Sequence, residues 1–568
     1  MSIFKIKSGL GDINRLRKIF VVIFEAGGGI FVEKIRLRYL VPWSCRVHCF
    51  FKPRPPKNCL VRMENEKPIV SGTVLREVLE KLGPTFIKFG QVLSLRADVV
   101  GEDISQELAK LQSDVKPFSY EEARRIIQED LGKEPETLFK SIEKRPIAAA
   151  SLAQVHRAFL KNGEELAVKV QRPNIRKTIE QDIHILLYLG HLAERFIPEL
   201  RPYQPLKVIK EFADWTMREL DFSAEGRNAD RFRYAFREKP HITIPRIYWE
   251  YTTPRVLTME FMHGVKADDL EGMKKLRVDT KQLARYGVDA MLQQFLIDGF
   301  FHADPHPGNF FAQKGEVLCL HDFGMVGYLT QEQRKELINC FMAFVNKDTE
   351  GFLKHFSHLA IINQNSDVPG FEKDVINILN ELFFSPHPQI AWIFFRAINK
   401  GASRNISFPA DLTLFGKAII TTEAMGMKLY PEFDFSKELA PFVDKVWREY
   451  LSPKKLIRTL ESNLFDYLEF LKNLPERTQN MLEKIEKGEV GVRIDAQDLL
   501  GIKTEFDRQN DLRILGMTLA AVILATIGFF YVEGRRTIGG IPISSFGLAI
   551  TALLFLWFIL KLKKGPKQ

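Results

Sequence analysis

The sequence predicts an α+β fold of two lobes, preceded by a helical extension and followed by a transmembrane helical hairpin. Two alternating segments flank the turn dipeptide Asn162-Gly163, which indicates a β-hairpin at the centre of a small lobe. Residues 330–500 are mostly helical in pattern and rich in aromatic residues, as expected for a larger helical lobe. Two long apolar runs lie near the C-terminus, and each has about the 20 residues that cross a bilayer.

The composition is that of a globular protein with a basic surface. Of the 568 residues, 45% are hydrophobic and 27% are charged, and the formal net charge is +10 at pH 7. The basic stretches adjoin apolar segments and form no nucleic-acid motif. We therefore expect membrane lipid, preferably anionic, and no nucleic acid as a partner. The cysteines lack the spacing of a zinc site and predict a reducing compartment without disulfides: Cys45, Cys49, Cys59, Cys319 and Cys340.

The N-terminal part is predicted to contain a basic segment and a helical extension. Residues 1–66 mix Lys and Arg with aromatic and aliphatic residues, which is typical of a membrane-interfacial segment. A helix packed on the body of the protein is an equally good alternative. In the extension, residues 67–140, Lys88 and Gln91 are spaced to share one helix face, with Gly90 between them. This Lys-x-Gly-Gln motif is weak by itself, since a solvated helix face would also explain it.

Residues 141–264 are predicted to form the small lobe of a bilobal, protein-kinase-like fold. Kinase glycine loops read Gly-x-Gly-x-x-Gly-x-Val and precede a strand with Val-Ala-x-Lys. Here alanine replaces each glycine, and Lys169 stands where the phosphate-binding lysine would. Methyl groups limit how closely the loop backbone approaches phosphates, so we expect altered nucleotide positioning or selectivity rather than lost binding. The predicted nucleotide-binding residues of the loop are Ala148, Ala149, Ala150, Ser151, Ala153 and Val155.

Two further parts of the small lobe complete the predicted nucleotide site. A kinase needs one helical Glu to form an ion pair with the strand Lys, and Glu219 and Glu225 are both candidates. A strand then runs into residues 259–264, an apolar and acidic linker with Gly that fits the hinge between two lobes. In that fold the hinge backbone binds adenine, which makes Glu260 and Met262 candidate nucleotide contacts.

Residues 265–500 are predicted to form the helical large lobe, and the catalytic residues lie near its start. His302-x-Asp304-x-x-x-x-Asn309 is followed by Asp322-Phe323-Gly324, a spacing typical of phosphoryl-transfer enzymes of the kinase type. Asp304 is predicted to orient or deprotonate the acceptor, while Asn309 and Asp322 bind Mg²⁺ on the nucleotide phosphates. A polar surface loop followed by a turn is the structural alternative. No Ala-Pro-Glu follows, so the usual platform for peptide substrates is not indicated.

Residues 512–562 are predicted to form two transmembrane helices. Residues 514–532 contain no charged side chain, and a second apolar run spans residues 541–560. A hairpin of this kind places the kinase-like body and the C-terminal tail on one side of the bilayer. Arg535 and Arg536 in the connecting loop weaken a cytoplasmic assignment of the tail, and a buried apolar hairpin is the alternative. Four lysines in the tail favour the cytoplasm: Lys561, Lys563, Lys564 and Lys567.

Together these motifs resemble the UbiB family of atypical kinase-like proteins, also called the ABC1 or ADCK group. The resemblance covers roughly residues 70–330, and the C-terminal hairpin is similar to that of the bacterial members. It rests on the order of the motifs, which are Lys88-x-Gly90-Gln91, the alanine loop, Lys169, Glu219-x-Asp221, His302-x-Asp304-x-His306-x-Gly308-Asn309 and Asp322-Phe323-Gly324.

The resemblance implies that the extension folds over the active site of a protein-kinase-like fold. Lys88 and Gln91 would then meet Glu219 and Asp221 as a regulatory contact. Glu225 would remain as the partner of Lys169. A covering extension would also disfavour the phosphorylation of other proteins.

The resemblance also implies a membrane-anchored, Mg²⁺-dependent ATPase or atypical kinase that uses ATP, or ADP, and supports ubiquinone biosynthesis. The expected location is the inner (cytoplasmic) membrane, with the kinase-like domain facing the cytoplasm. Quinone-pathway lipid intermediates or enzymes would be partners, and a homodimer is also compatible with the sequence. Two alternatives stay open: a small-molecule or protein kinase, and a non-enzymatic membrane scaffold switched by nucleotide.

Overall fold

A computed structural model describes most of the chain up to residue 450 and short stretches beyond it. The chain divides into two compact units, residues 1–455 and residues 456–568. Cys319 and Cys340 are buried free thiols, while the other three cysteines lie outside the described residues. The described residues are 10–27, 32–33, 61–64, 67–94, 96–111, 116–383, 390–450, 517–518, 520–525, 527, 537–538, 541–542 and 548–557.

The first described helix, α1 (Leu10–Glu25), packs on the body of the protein. Arg15 donates from Nε and Nη2 to the two carboxylate oxygens of the buried Asp182, at 2.7 and 2.9 Å. Phe20 of the same helix is fully buried. A bidentate pair of this kind fixes orientation as well as position, so α1 follows the packed-helix alternative. Residues 34–60 lie outside the described part of the chain, and their membrane-interfacial role stays a prediction.

The extension continues as an antiparallel strand pair and a series of short helices. The strands are β1 (Val61–Glu64) and β2 (Lys67–Val70). The helices are α2 (Gly72–Leu82), α3 (Pro84–Ser94), α4 (Ala97–Val100) and α5 (Glu102–Leu108). Ser71 caps α2 by accepting a hydrogen bond from the N–H of Val74, and Gly83 ends the helix with a φ of 99°. Because glycine tolerates this conformation, the chain turns at once into α3.

The small lobe is built on an antiparallel sheet. Two helices precede its first strand, α6 (Tyr120–Leu131) and α7 (Pro135–Leu138). The strands are β3 (Ser141–Ile142), β4 (Ala148–Ala149), β5 (Ala153–Phe159) and β6 (Glu165–Gln171), with one more strand added by a later segment, Val256–Glu260. β5 pairs with β6 along its whole length, and the turn between them contains Gly163 at a φ of 92°. The predicted hairpin is therefore confirmed.

The two faces of this sheet differ because side chains alternate along each strand. On one face Val168 is fully buried in a cluster with apolar side chains of α6. Val155, Ala167 and Lys169 share the opposite face and are only partly buried. This second face forms the roof of the candidate site.

Three helices follow β6 and bring acidic residues to that roof. They are α8 (Ile175–Phe196), α9 (Pro205–Glu219) and α10 (Phe222–Ala235). Asp221 caps α10 by accepting the N–H of Ser223 at 3.0 Å. Because α10 begins there, Glu225 lies in its first turn.

The larger lobe combines short strands with helices. One sheet contains β7 (Ile242–Thr243), β9 (Val265–Lys266), β11 (Phe310–Gln313) and β12 (Val317–Leu320). Its order is β7-β12-β11-β9, with β7 parallel to β12. The small-lobe strand Val256–Glu260 is β8, and the remaining strands of this lobe are β10 (Phe300–His302) and β13 (Val326–Tyr328), which pair.

Helices supply most of the larger lobe. They are α11 (Leu270–Leu276), α12 (Thr280–Leu292), α13 (Gln331–Val345), α14 (Thr349–His358), α15 (Val368–Phe383), α16 (Ile390–Ser403), α17 (Ala410–Leu429) and α18 (Phe435–Tyr450). Antiparallel pairing of β11 with β12 sets Phe310 opposite Leu320. The residues just before β11 and just after β12 therefore emerge at the same end of a hairpin, and these include Asn309 and Asp322.

The second unit contains helical stretches and a short hairpin among its described residues. Residues 520–525 and 548–557 are helical, and β14 (Thr537–Ile538) pairs with β15 (Ile541–Pro542) between them. Over the described residues, no helix combines the length and the apolar character needed to span a membrane. The predicted runs at 514–532 and 541–560 lie partly outside those residues, so the transmembrane hairpin stays a prediction.

Candidate functional site

The cleft-facing side of β6 carries Lys169, whose ammonium group is held by Glu225 of α10. Lys169 Nζ lies 2.8 Å from each carboxylate oxygen of Glu225. The Glu225 side chain is only 5% exposed, so the pair is shielded from solvent. The predicted ion pair between strand and helix is present, and its partner is Glu225 rather than Glu219.

Carboxylates outnumber ammonium groups around this pair. Burial by itself would lower the pKa of Lys169, but Glu225, Asp322 and Glu219 outweigh it and raise the pKa. The pKa of Glu225 is also raised, first by burial and then by Asp322 and Glu219, against the lowering effect of Lys169. Lys169 therefore stays protonated and positively charged among these carboxylates.

Asn309 and Asp322 are oriented by hydrogen bonds to the backbone. Asn309 Nδ2 donates to the carbonyl of Asp304 at 3.0 Å, which leaves Oδ1 for another partner. Oδ1 of Asp322 accepts the N–H of Gly324 at 3.0 Å. Burial by itself would raise the pKa of Asp322, but the Lys169 charge and the Gly324 N–H lower it on balance. The chain thus presents an amide oxygen and an ionised carboxylate at one end of the β11–β12 hairpin.

Asp304 has a partner that lies far along the chain. Lys417 of α17 places its Nζ 2.6 Å from Oδ1 of Asp304. Burial by itself would raise the pKa of Asp304, but Lys417 outweighs it and the pKa is lowered. An ionised Asp304 can take a proton from a group that is to receive a phosphoryl group. The ammonium of Lys417 beside it can stabilise negative charge that develops there during a reaction.

Buried rings fix the catalytic loop and the Asp-Phe-Gly turn. Nδ1 of His302 accepts the backbone N–H of Asp304 at 3.1 Å. Burial lowers the pKa of His302 to about 4, so the ring is neutral at physiological pH. Phe323 is buried against α10, and Asn228 of that helix donates Nδ2 to the Phe323 carbonyl at 3.0 Å. The turn that carries Asp322 is therefore tied to the helix that carries Glu225.

The alanine-rich segment forms β4, a tight turn and the start of β5. Ala148 lies opposite Val155, and the N–H of Ala150 donates to the carbonyl of Ala153 at 2.8 Å. Arg172 donates from Nε to the carbonyl of Ala150 at 2.9 Å and so holds the turn from the end of β6. The loop is a closed hairpin whose methyl groups are part of its surface.

The rest of this loop lies beside an open cleft. Ala149 is paired with β5, and Ser151 is buried in the turn. A cavity of about 480 Å³ adjoins the segment, with Ala149 as well as the basic side chains of Lys116 and Arg145 in its wall. The contacts of the loop residues with a nucleotide stay predictions.

The hinge candidates lie where β8 ends. The exposed Glu260 donates its N–H to the carbonyl of Arg246 at 2.8 Å. The N–H of Phe261 donates to the carbonyl of Glu165 at 3.0 Å, and Met262 follows it. β8 is thus anchored on β6 up to the start of the linker, and adenine binding by Glu260 and Met262 stays a prediction.

The extension reaches the site through α3. Lys88 forms an ion pair with Glu219, the last residue of α9. Glu219 lies at the site itself, since a Cβ placed on Gly324 would lie 3.6 Å from its Cγ and 4.0 Å from Oε2 of Glu225. The implied contact between the Lys-x-Gly-Gln motif and Glu219 is therefore present beside the Asp-Phe-Gly turn.

The other motif residues make contacts that hold their own elements. Gln91 donates from Nε2 to the carbonyl of Leu111 at 3.1 Å. A Cβ on Gly90 would lie 2.7 Å from Cδ1 of Leu79, so the glycine permits close packing of α3 on α2. Asp221 caps α10 and accepts a hydrogen bond from Arg227 at 3.2 Å.

The donors and charges of the site fit a Mg²⁺-bound nucleotide. Mg²⁺ prefers oxygen ligands, and Asn309 and Asp322 would hold it while Lys169 contacts the phosphates. When bound, the ion would neutralise charge between phosphate oxygens. Over the described residues, the cluster beneath the roof joins two ammonium groups to three carboxylates, those of Lys88, Lys169, Glu219, Glu225 and Asp322. The surplus of one negative charge favours the binding of a cation.

Sequence reasoning missed two residues of the site. Asn228 lies three residues after Glu225 on the same helix face, and this spacing was a usable signal. Lys417 gave none, because the burial of its neighbours Gly416 and Ala418 is known only from the structure. Its pairing with Asp304 depends on how α17 packs.

The chain is similar to known proteins in its domain and in its sequence. Residues 110–356 match the family model of the ABC1 atypical kinase-like domain. A protein named probable protein kinase UbiB from Pseudomonas aeruginosa (strain LESB58) is 36% identical over 470 residues, covering 80% of this chain and 86% of the relative. A protein of the same name from Azotobacter vinelandii (strain DJ) is 33% identical over 494 residues, covering 86% of this chain and 89% of the relative.

Among solved structures, a chain of the Rv3197–erythromycin complex from Mycobacterium tuberculosis is similar with a TM-score of 0.42 and 22% identity. The similarity covers 66% of this chain and 95% of that chain. The domain match, together with the mixed helix-and-sheet architecture, confirms the predicted kinase-like fold. The chain belongs to the UbiB family of ABC1 atypical kinase-like proteins.

Proposed function

We propose that this protein is a membrane-associated atypical kinase or ATPase that transfers a phosphoryl group from Mg²⁺-bound nucleotide and supports ubiquinone biosynthesis. The observation that carries the proposal is the Lys169–Glu225 ion pair beside the Asp322 carboxylate. Kinases position nucleotide phosphates with a strand lysine held by a helical Glu, next to a metal-binding Asp. Membership of the UbiB family supports the role in quinone biosynthesis.

In this proposal each polar residue of the site has its own role. Lys169 contacts the phosphates, and Glu225 keeps its ammonium in place. Asp304 orients the acceptor and takes its proton, while Lys417 keeps that carboxylate ionised and adds positive charge beside it. ATP is the proposed nucleotide and ADP the alternative, because the methyl groups of the alanine loop change how the backbone meets the phosphates.

The second unit supports attachment to a membrane. Its helical stretches expose apolar side chains, with Leu524, Leu553 and Trp557 at 69%, 68% and 50% exposure. Exposed apolar surface of this kind marks an interaction site. With the net charge of +10, it supports an anionic membrane as the partner. The proposed location, the inner membrane with the kinase-like domain on its cytoplasmic side, rests on the lysines of the tail and on the family.

The position of the extension limits which molecules can reach the site to receive the phosphoryl group. Lys88 reaches Glu219 beside the Asp-Phe-Gly turn, so α3 occupies the neighbourhood of the reacting groups. A helix there narrows access for a folded protein substrate. Water or a lipid-associated molecule of the quinone pathway is the proposed acceptor.

Phosphate release by the purified full-length protein tests the proposal. The protein is mixed with ATP, Mg²⁺ and vesicles of phosphatidylglycerol, and free phosphate is measured over time. Asp322→Asn and Lys169→Ala are expected to lower the rate about 10²-fold or more, since each removes a charge that acts on the transferring group. Lys161→Ala, an exposed lysine in the β5–β6 turn, is the control and should match the wild type. Equal rates in all four proteins would show that the site is assigned wrongly.

A second arm identifies the acceptor. With ATP labelled in its terminal phosphate, free phosphate that accounts for all consumed ATP indicates an ATPase. Label on a lipid or a protein indicates a kinase, which is the alternative function. Nucleotide-dependent thermal stabilisation without any turnover would instead identify a nucleotide-switched scaffold.

A further inference from the structure

A cluster of two histidines and a glutamate joins α13 to α14 in the larger lobe, and none of its members belongs to the candidate nucleotide site. Nδ1 of His355 lies 2.6 Å from Oε2 of Glu336, and Nδ1 of His358 lies 3.5 Å from the same oxygen. One ligand atom from each residue lies within 4.8 Å of the other two. We propose that Glu336, His355 and His358 bind a divalent cation such as Zn²⁺, and that the bound cation links α13 to α14.

Two helices joined by a short turn bring these side chains together. His355 and His358 are three residues apart on α14, so their rings lie on one face of the helix. Glu336 lies on α13, the neighbouring helix, and its side chain is partly buried between the two rings. The ligands therefore come from two elements that pack as a hairpin, and only side-chain rotation is needed to adjust them.

Two of the three separations in the cluster can be compared directly with a tetrahedral zinc site, and the third, between the two imidazoles, is within 4.8 Å. Zn–N bonds of about 2.0–2.1 Å and Zn–O bonds of about 2.0–2.2 Å place tetrahedral ligand atoms roughly 3.3 Å apart. His358 and Glu336 already have a comparable separation of 3.5 Å. His355 and Glu336, at 2.6 Å, must move apart by about 0.7 Å on binding, which small rotations of the two side chains can supply.

The ligand chemistry selects the class of metal. Imidazole suits zinc and other late transition metals, whereas Mg²⁺ and Ca²⁺ prefer all-oxygen sites. Cys340 lies one turn beyond Glu336, but it is fully buried and does not belong to the group of ligand atoms that lie within 4.8 Å of one another. The site is therefore one of nitrogen and oxygen donors.

A fourth donor is available beside the cluster. Nδ2 of Asn339 lies 3.4 Å from Nδ1 of His355, and half a turn of the amide would bring its oxygen to that place. The His358 side chain is 56% exposed, so water can also reach the site and complete the coordination. The same opening gives the cation a path of entry from solvent.

A His–Glu pair elsewhere in the chain has one imidazole on its carboxylate, whereas Glu336 has two. His263 Nε2 lies 3.0 Å from Oε2 of Glu165, with a single imidazole on the carboxylate. At Glu336 a second imidazole converges on the same oxygen. Two convergent ring nitrogens and a carboxylate are the donor set of known three-ligand zinc sites. His263 is thus a matched control for the metal site.

Zinc binding by the full-length protein tests the proposal. Chelator-treated protein is dialysed against Zn²⁺ with Mg²⁺ and ATP in excess, so that the candidate nucleotide site is occupied, and bound zinc is measured by mass spectrometry. Wild type and His263→Gln are expected to bind one zinc more than Glu336→Gln and His358→Gln. Zinc should also raise the melting temperature of wild type and His263→Gln by a few degrees more than that of the two cluster variants.

A spectroscopic measurement keeps the test independent of how well the variants fold. Co²⁺ in place of zinc should give the visible bands of nitrogen and oxygen ligation in the wild type, and these bands should be lost in His358→Gln. Because His358 is half-exposed, its replacement should leave the circular dichroism of the metal-free protein unchanged. Equal zinc content in wild type and both cluster variants, or a wild type without the nitrogen-and-oxygen Co²⁺ spectrum, would overturn the proposal.

Discussion

Each lobe of the candidate site pairs a lysine with an acidic residue, and the two pairs differ in setting. In the small lobe, the Lys169 and Glu225 side chains are 18% and 5% exposed. In the larger lobe, the Lys417 and Asp304 side chains are both 26% exposed. The first pair also has further carboxylates around it, which keep Lys169 charged. The second pair is closer to solvent, and Lys417 is the main group that keeps the pKa of Asp304 low.

This difference separates a fixed part of the site from an adjustable one. Breaking a buried pair by removing one member leaves an uncompensated buried charge, which is strongly unfavourable. Lys169 is therefore held firmly by its partner. Among the described residues Lys417 pairs with one carboxylate, in a more solvent-exposed setting, so separating it from Asp304 costs less free energy. The predictions below test this contrast, beginning with the largest effect.

Replacing the fixed lysine should have the largest effect on activity. Lys169→Met is expected to lower phosphate release about 10²- to 10³-fold, because it removes a preorganised charge from the phosphates. It should also lower the free energy of unfolding, because Glu225 is left buried and unpaired. The measurement is phosphate release together with urea denaturation.

A second replacement separates the two consequences. Adding Glu225→Gln to Lys169→Met removes the orphaned charge, so much of the lost stability should return while phosphate release stays low. Lys161→Met serves as the exposed-lysine control and should alter neither quantity. Recovery of both stability and activity in the double variant would contradict a phosphate-binding role for Lys169.

Replacing the adjustable lysine should have a smaller effect. Lys417→Met is expected to lower kcat about 10- to 100-fold with little change in KM, because its charge acts where negative charge develops rather than in nucleotide binding. Lys417→Arg keeps the charge and should recover part of the rate. Steady-state kinetics of phosphate release provide the measurement.

A lysine on the same helix controls for general damage to α17. Lys428 lies 3.9 Å from Asp268 and is half-exposed, so Lys428→Met should leave kcat unchanged. If Lys417→Arg is as slow as Lys417→Met, the charge is not what matters at this position. If Lys428→Met is equally slow, the effect belongs to the helix and not to the pair with Asp304.

The same contrast explains what the sequence could predict. Lys169 could be predicted because its strand, hairpin turn and motif are local features with a fixed period, and the strand and the turn are present in the structure. Asn309 and Asp322 could be predicted because a short hairpin, β11–β12, joins them, so that they emerge at the same end of it. The roles of all three residues stay predictions. Lys417 could not be assigned, since its contact with Asp304 depends on the packing of a helix from a distant part of the chain.

The N-terminal helix shows a second limit of the sequence. An apolar face flanked by basic residues suits both a bilayer surface and a protein core, so the pattern left both alternatives for residues 1–66 open. The buried Asp182 accepts two hydrogen bonds from Arg15 and decides the matter for α1. The deciding contact depends on Asp182 of α8, so the sequence of α1 alone could not reveal it.

The packing of the extension can be tested at the glycine of its motif. Gly90→Ala is expected to lower the free energy of unfolding by about 1–3 kcal/mol, because the new methyl group meets Leu79 at 2.7 Å and Leu111 closer still. Gly416→Ala is the control, since among the described residues outside its own helical turn the one atom within 4 Å of its Cβ is Ile398 Cδ1 at 3.7 Å. In a helix interior it should be neutral or stabilising by up to roughly 1 kcal/mol. Urea denaturation of both variants checks the difference, and equal effects would mean that α3 is not closely packed at Gly90.

The smallest effect is expected for the ion pair that connects the extension to the site. Lys88 and Glu219 are 13% and 20% exposed, a setting between a surface pair and a buried one. A double-mutant cycle of Lys88→Met and Glu219→Gln should give a coupling energy of about 1 kcal/mol in urea denaturation. The exposed i,i+4 pair Arg176–Glu180 of α8 provides the reference cycle, for which about 0.3–0.5 kcal/mol is expected. A Lys88–Glu219 coupling no larger than this reference would mean that the contact does not hold α3 at the site, and that other packing keeps the extension beside the Asp-Phe-Gly turn.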